Sequence, residues 1–113
     1  MNISIKGTHL ELTETLKQQV EEKIGHLDKF LQNMAVDAKV ELERDRHHHK
    51  GDVFRAEVTM LADGKILRAD ALGEDVFAAL DLVIPKLKEQ ISKLKNKRLT
   101  LERQGARRAK QKK

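Results

Sequence analysis

The sequence predicts an α+β fold: a two-layer sandwich of order β-α-β-β-β-α, with a four-stranded mixed sheet and both helices on one face of it. Three observations carry that prediction. Apolar residues recur at helical spacing from Leu16 to Met34 and again from Phe77 to Leu94. Between those stretches the apolar period falls to two, the mark of strands with one face buried and one face wet. Asp63-Gly64 then supplies the dipeptide best suited to close a tight hairpin.

The elements follow in order. Ile3 and Ile5 alternate with polar neighbours in a short first strand closed by Gly7. Thr13 is placed to cap a helix whose first turn carries Glu14, the charge that suits a helix N-terminus. Leu16, Val20, Ile24, Leu27, Leu31 and Met34 form one stripe along about five turns. Gly25 interrupts that stripe at a cost of about 1 kcal/mol relative to alanine. Val36, Ala38, Val40 and Leu42 give the second strand its inward face, and Phe54, Ala56, Val58 and Met60 the third. The polar run from Asp45 to Asp52 is the loop between them. In the fourth strand, from about Lys65 to Ala71, Leu67, Ala69 and Ala71 point inward and Arg68 and Asp70 outward. Asp75 serves the N-terminus of the second helix, whose stripe reads Phe77, Leu80, Ile84, Leu87, Ile91 and Leu94. Pro85 lies inside this helix and predicts a kink near Asp81 to Pro85.

Composition excludes several classes of function. With 113 residues there is room for one domain, read as residues 1–98 followed by a basic, disordered tail over 99–113. No cysteine is present, which removes disulfides, thiol nucleophiles and thiolate zinc sites. No apolar run reaches the length of a membrane span and no signal peptide is visible, so a cytoplasmic setting is expected. The net charge of +5 is unevenly spread. From Ile84 onward 12 Lys/Arg face two acids, whereas residues 1–83 hold 11 Lys/Arg and 16 Asp/Glu. A basic end on a mildly acidic body points to a polyanionic partner, which releases counterions when its phosphates are neutralised.

The residues around the second helix carry a family resemblance. Gly73-Glu74-Asp75-Val76-Phe77-Ala78-Ala79-Leu80-Asp81, followed by the lysine-rich stretch from Lys86 to Lys97, resembles the short ribosome hibernation-promoting factors and ribosome-associated translation inhibitors. Ile3 to Gly7 and Leu10 to Glu14 are similar to that family's first strand and the start of its first helix, and the likeness spans roughly Asn2 to Arg98. The resemblance implies a fold shaped like a double-stranded RNA-binding domain. It also implies a protein that occupies the messenger and A- and P-site transfer RNA path of the small ribosomal subunit, sterically and without turnover. Longer relatives carry a second, ribosome-pairing domain, so this sequence reads as a short form or as a fragment. Pro85 departs from the polar residue usual in the family.

The expected rRNA contacts are Lys86, Lys88, Lys93, Lys95, Lys97 and Arg98 on the second helix, with Arg55, Arg68, Lys23 and Lys29 in support and Arg44 beside them. Helical spacing gathers Lys86, Lys93 and Lys97 on one flank and Lys88 and Lys95 on the other. Flexible point charges of this kind position a phosphate backbone without reading sequence. The chain has no Tyr or Trp for stacking unpaired bases, so recognition by shape and backbone is expected. The partners expected are therefore the small subunit and its rRNA, with no cofactor, no small-molecule substrate, no membrane and a monomeric free protein. A general double-stranded RNA binder is the alternative within the same class. The alternative from another class is a metal-dependent hydrolase built on His47, His48, His49, Asp45 and Asp52. Adjacent histidines in a loop project in different directions and lack a rigid supporting shell, so no metal is expected there.

Overall fold

The computed structural model describes residues 1–31, 34–45 and 53–111, with side chains as far as Asn96. Its elements are β1 (Asn2–Thr8), α1 (Glu14–Gly25), α2 (Asp28–Leu31), β2 (Val36–Asp45), β3 (Val53–Ala62), β4 (Lys65–Gly73) and α3 (Val76–Gln111). They form one four-stranded sheet in the order β1-β2-β3-β4. β1 lies parallel to β2, and the other two pairs are antiparallel. A helical crossover is what allows the first pair to be parallel, and hairpin connections dictate the rest.

Alternation fixes the register as read. Val36, Ala38, Val40 and Leu42 are buried on β2, Ala56, Val58, Met60 and Ala62 on β3, and Leu67 and Ala69 on β4. A slip of one residue would turn each of these to water. Asp63 (φ 52) and Gly64 (φ 73) both take the left-handed conformation that a two-residue hairpin turn demands. The helices cover this inward face with Val20, Ile24, Leu27 and Leu31 from the first crossover and Val76, Ala79, Leu80, Val83, Leu87 and Ile91 from α3.

Three expectations are corrected. The five-turn first helix is divided: α1 stops at Gly25, His26 caps it, and one further turn, α2, follows. Glycine is the weakest helix former in that run, and the break turns Leu27 and Leu31 onto the same core as Ile24. The stripe of α3 is rotated in its first turns, with Val76, Ala79 and Val83 buried where Phe77 and Ile84 were read. Phe77, Ile84 and Leu94 flank it half-buried. Lastly, the backbone over 99–111 continues as helix, where an irregular tail was expected. Residues 99–111 are mostly good helix formers without proline, and extending an existing helix avoids the cost of nucleation.

Pro85 does not end α3, although it leaves the Asp81 carbonyl without its helical donor. Burial of Val83, Leu87 and Ile91 on either side holds the helix to the sheet through that position. At 36 residues α3 is about 54 Å long. The molecule measures 67 × 29 × 17 Å, so α3 must run along its long axis.

Candidate nucleic-acid interface

α3 is positioned from its first turn. Asp75 Oδ1 accepts from the Ala78 N–H at 2.8 Å, which is the capping role read for it. Gly73, just before, lets β4 and α3 approach closely: a Cβ there would lie 2.6 Å from the Ala79 nitrogen. Beyond this anchored turn the lysines of α3 emerge on two flanks, one beside the β4 edge and one beside α1 and α2.

On the β4 flank, Lys86 Nζ donates to the Asp70 carbonyl at 2.8 Å. The Gln90 amide bonds twice to the backbone of Arg68, accepting from its N–H at 3.1 Å and donating to its carbonyl at 2.8 Å. β4 is an edge strand, so these outward groups would otherwise be unpaired. Lys93, one turn further on, pairs with Glu89 at 3.2 Å on the exposed surface. Pairs of that kind are weak and easily exchanged. Lys65, Ile66, Leu67, Gln90, Lys93 and Leu94 line a groove of about 310 Å³ between strand and helix.

The other flank is already occupied by internal contacts. Lys88 Nζ stands 4.9 Å from the centre of the Phe30 ring. Lys23 pairs with Asp81 at 2.7 Å and lies 5.9 Å from the centre of the Phe77 ring. Gln19, Glu22 and His26 share the hollow with Lys23 and Phe77, so a carboxylate faces any anion that enters. Lys29 is exposed on α2, and Lys95 is half-buried on α3. The side chains of Lys97 and Arg98 lie outside the described residues, as do His47, His48 and His49.

The open face of the sheet is a mosaic. Arg55 donates to Glu57 at 2.6 Å and to Asp70 at 3.2 Å. Its pKa is raised, first by the hydrogen bond to Glu57, against a smaller opposing effect of burial. This arginine is committed to its neighbours. The Arg68 guanidinium, by contrast, reaches Thr59 Oγ1 at 3.3 Å and meets no carboxylate among the described residues. Arg44 also has an internal partner. Among the described residues there is no cluster of His, Asp or Glu able to hold a metal. None of the described helices is long and apolar enough to cross a membrane.

The expected cations are thus dispersed among different surroundings, and only some share a surface. Lys86, Lys93 and Arg68 border the β4–α3 edge, while Lys23 and Lys88 border α1 and α2 and Arg55 faces out from mid-sheet. Sequence reading passed over Lys65 and Gln90. The register contained a signal for Lys65, since it shares the parity of Leu67 and Ala69 and so faces the helix layer. Nothing in the local pattern marks Gln90 as a clamp on a strand 22 residues away.

The fold is thus a four-stranded α+β sandwich with a lysine-bearing helix along one edge. Comparison with known proteins makes this specific: residues 3–99 match the family model described as sigma 54 modulation protein / S30EA ribosomal protein, and the chain belongs to that family. It is 37% identical to the ribosome hibernation promotion factor of Bacillus subtilis over 86% of this chain and 50% of that protein. Against the ribosome hibernation promoting factor of Azotobacter vinelandii it is 32% identical over 88% of this chain and 87% of that one. The chain spans about half the length of the Bacillus subtilis protein and of three other curated relatives it matches. Among solved structures, the N-terminal domain of Thermus thermophilus Protein Y superposes with a TM-score of 0.71 at 30% identity, covering 83% of this chain and 99% of that domain. A ribosomal subunit interface protein from Coxiella burnetii shares the fold, with a TM-score of 0.72 at 19% identity, covering 85% of this chain and 99% of that one.

Proposed function

We propose that this protein is a non-enzymatic translation inhibitor that binds the small ribosomal subunit. It holds rRNA by its phosphate backbone and fills the channel used by messenger RNA and the A- and P-site transfer RNAs. The observation that carries this reading is the placement of the lysines. Lys86, Lys93 and Lys95 project from a helix locked to the sheet by Leu80, Val83, Leu87 and Ile91, so positive charge is presented on a rigid layer. The B. subtilis and A. vinelandii relatives are named for ribosome hibernation, which supports a ribosomal partner. The lack of Tyr and Trp supports recognition by shape over base stacking. An inhibitor that acts on ribosomes works in the cytoplasm.

The test replaces Lys86, Lys93, Lys95 and Lys97 together by alanine. Co-sedimentation with small ribosomal subunits should fall sharply while the thermal melt stays within a few degrees of the parent. Binding by the unaltered protein should weaken steeply with salt, each phosphate contact adding about 0.7–0.9 to the log–log slope. Undiminished co-sedimentation of the quadruple variant would refute the assignment. Preference for a generic RNA duplex over small subunits would instead reveal a general double-stranded RNA binder.

A further inference from the structure

We propose that the groove between the β4 edge and α3 seats a run of RNA sugar–phosphate backbone, with Lys65 as a phosphate contact beside Lys86 and Lys93. The inference rests on the ribosome-binding reading and narrows it to one flank of α3 and to one cation outside the helix.

Placement comes first. Lys65 opens β4 immediately after the Asp63-Gly64 turn, on the same side of the strand as Leu67 and Ala69. Its side chain therefore leaves the sheet toward the helix layer and enters the groove that Lys93 enters from α3. Lys86 stands at the far end of the same edge, on the Asp70 carbonyl. Lys65 and Lys93 thus border one groove from two elements, and Lys86 continues the positive charge along the same edge. Ile66, of opposite parity, lines the groove along the strand itself and turns its side chain with Leu61 to the open face of the sheet.

Availability distinguishes the two flanks. The Lys65 side chain has no hydrogen bond or ion pair among the described residues. Lys86 gives one of its three N–H donors to a neutral carbonyl and keeps two for an incoming phosphate. Lys93 needs only to exchange an exposed pair with Glu89. On the opposite flank Lys23 is held 2.7 Å from Asp81, Glu22 shares the hollow, and Lys88 rests on Phe30. A phosphate arriving there would meet carboxylates and engaged lysines.

The edge geometry also selects RNA over a peptide strand. A peptide adding to β4 needs the outward N–H and C=O groups of that strand. Gln90 already takes both groups of Arg68, and Lys86 takes the Asp70 carbonyl. A phosphate backbone requires only the cations around this partly occupied edge.

The experiment uses the full chain and purified small ribosomal subunits, comparing Lys65→Ala with Lys17→Ala. Lys17 is a charge-matched control on α1, whose side chain pairs only with Glu14 among the described residues. Lys65→Ala should weaken binding roughly three- to tenfold at low salt and lower the salt slope by about 0.7–0.9, while Lys17→Ala changes neither. Equal losses from both would show that net charge alone matters and overturn the groove. Because the chain has no cysteine, Lys65→Cys can carry a single photo-crosslinker in the groove, expected to capture rRNA on the subunit at saturating protein. Capture of ribosomal protein alone would mean that a peptide lies in the groove, and would overturn the proposal. If the quadruple lysine variant loses binding and Lys65→Ala does not, the groove fails and ribosome binding through α3 stands. If neither variant weakens binding, both readings fail.

Discussion

Replacing Gly73 and Gly25 by alanine should shift stability in opposite directions, and the structure supplies the reason. A Cβ on Gly73 would sit 2.6 Å from the Ala79 nitrogen, 3.0 Å from the Ala78 carbonyl carbon and 3.1 Å from the Ala78 Cβ. These atoms belong to the first turn of α3. That turn is tied down by the Asp75 cap on the Ala78 N–H, by the Ala79 N–H donating to the Asp75 carbonyl at 3.1 Å, and by burial of Val76, Ala79 and Leu80. No flexible side-chain end can yield, so helix and strand must separate. Overpacking of this kind costs about 1–3 kcal/mol, offset by about 0.4–1 kcal/mol from the stiffer unfolded chain. A net loss of about 1–2 kcal/mol lowers the melting temperature by roughly 5–15 °C in a domain of this size. Gly25 has nothing within 4 Å of the same added atom and lies in the last turn of α1. Alanine there should add about 0.5–1 kcal/mol. Urea titration and thermal melts of the two variants read the difference directly. A Gly73→Ala protein as stable as the parent would refute the close approach of β4 and α3.

Other perturbations follow from the same contacts. Gln90→Met keeps the volume but removes both bonds to the Arg68 backbone; stability should fall by about 1–3 kcal/mol and hydrogen exchange at the Arg68 amide should quicken. Unchanged exchange at that amide would mean the clamp does not persist in solution. Leu87→Ala, at a fully buried position, should cost about 2–5 kcal/mol in urea titrations. For Arg55 the folded-state pKa is raised, so its contribution is complete below the unfolded guanidinium range and is lost only as pH climbs through the still higher folded value. The stability difference between the parent and Arg55→Ala should therefore be flat from about pH 7 to 10, and a slope there would contradict a guanidinium that stays charged throughout that range.

Much of the architecture was legible because it is local. The faces of β2, β3 and β4 follow from alternation, the hairpin from Asp63-Gly64, and the helix starts from Thr13 and Asp75. Misreadings arose where propensity and packing compete. At Gly25 a continuous apolar stripe concealed the break between α1 and α2, because the period persists across a turn that re-aims Leu27. At the start of α3, Phe77 looked the better core residue by size, yet the tight approach at Gly73 turns the smaller Val76 and Ala79 inward.

By itself the sequence determined the strand register, the caps, and the segregation of positive charge into the last helix, since each depends on neighbours within a few positions. Only the tertiary structure decided which of those charges remain available. Lys23 meets Asp81 across 58 positions, Lys86 meets the Asp70 carbonyl across 16, and Gln90 closes on Arg68 across 22. Such pairings depend on how α3 lies between β4 and the first helices, a relation set by packing of the whole core and not encoded in any local spacing.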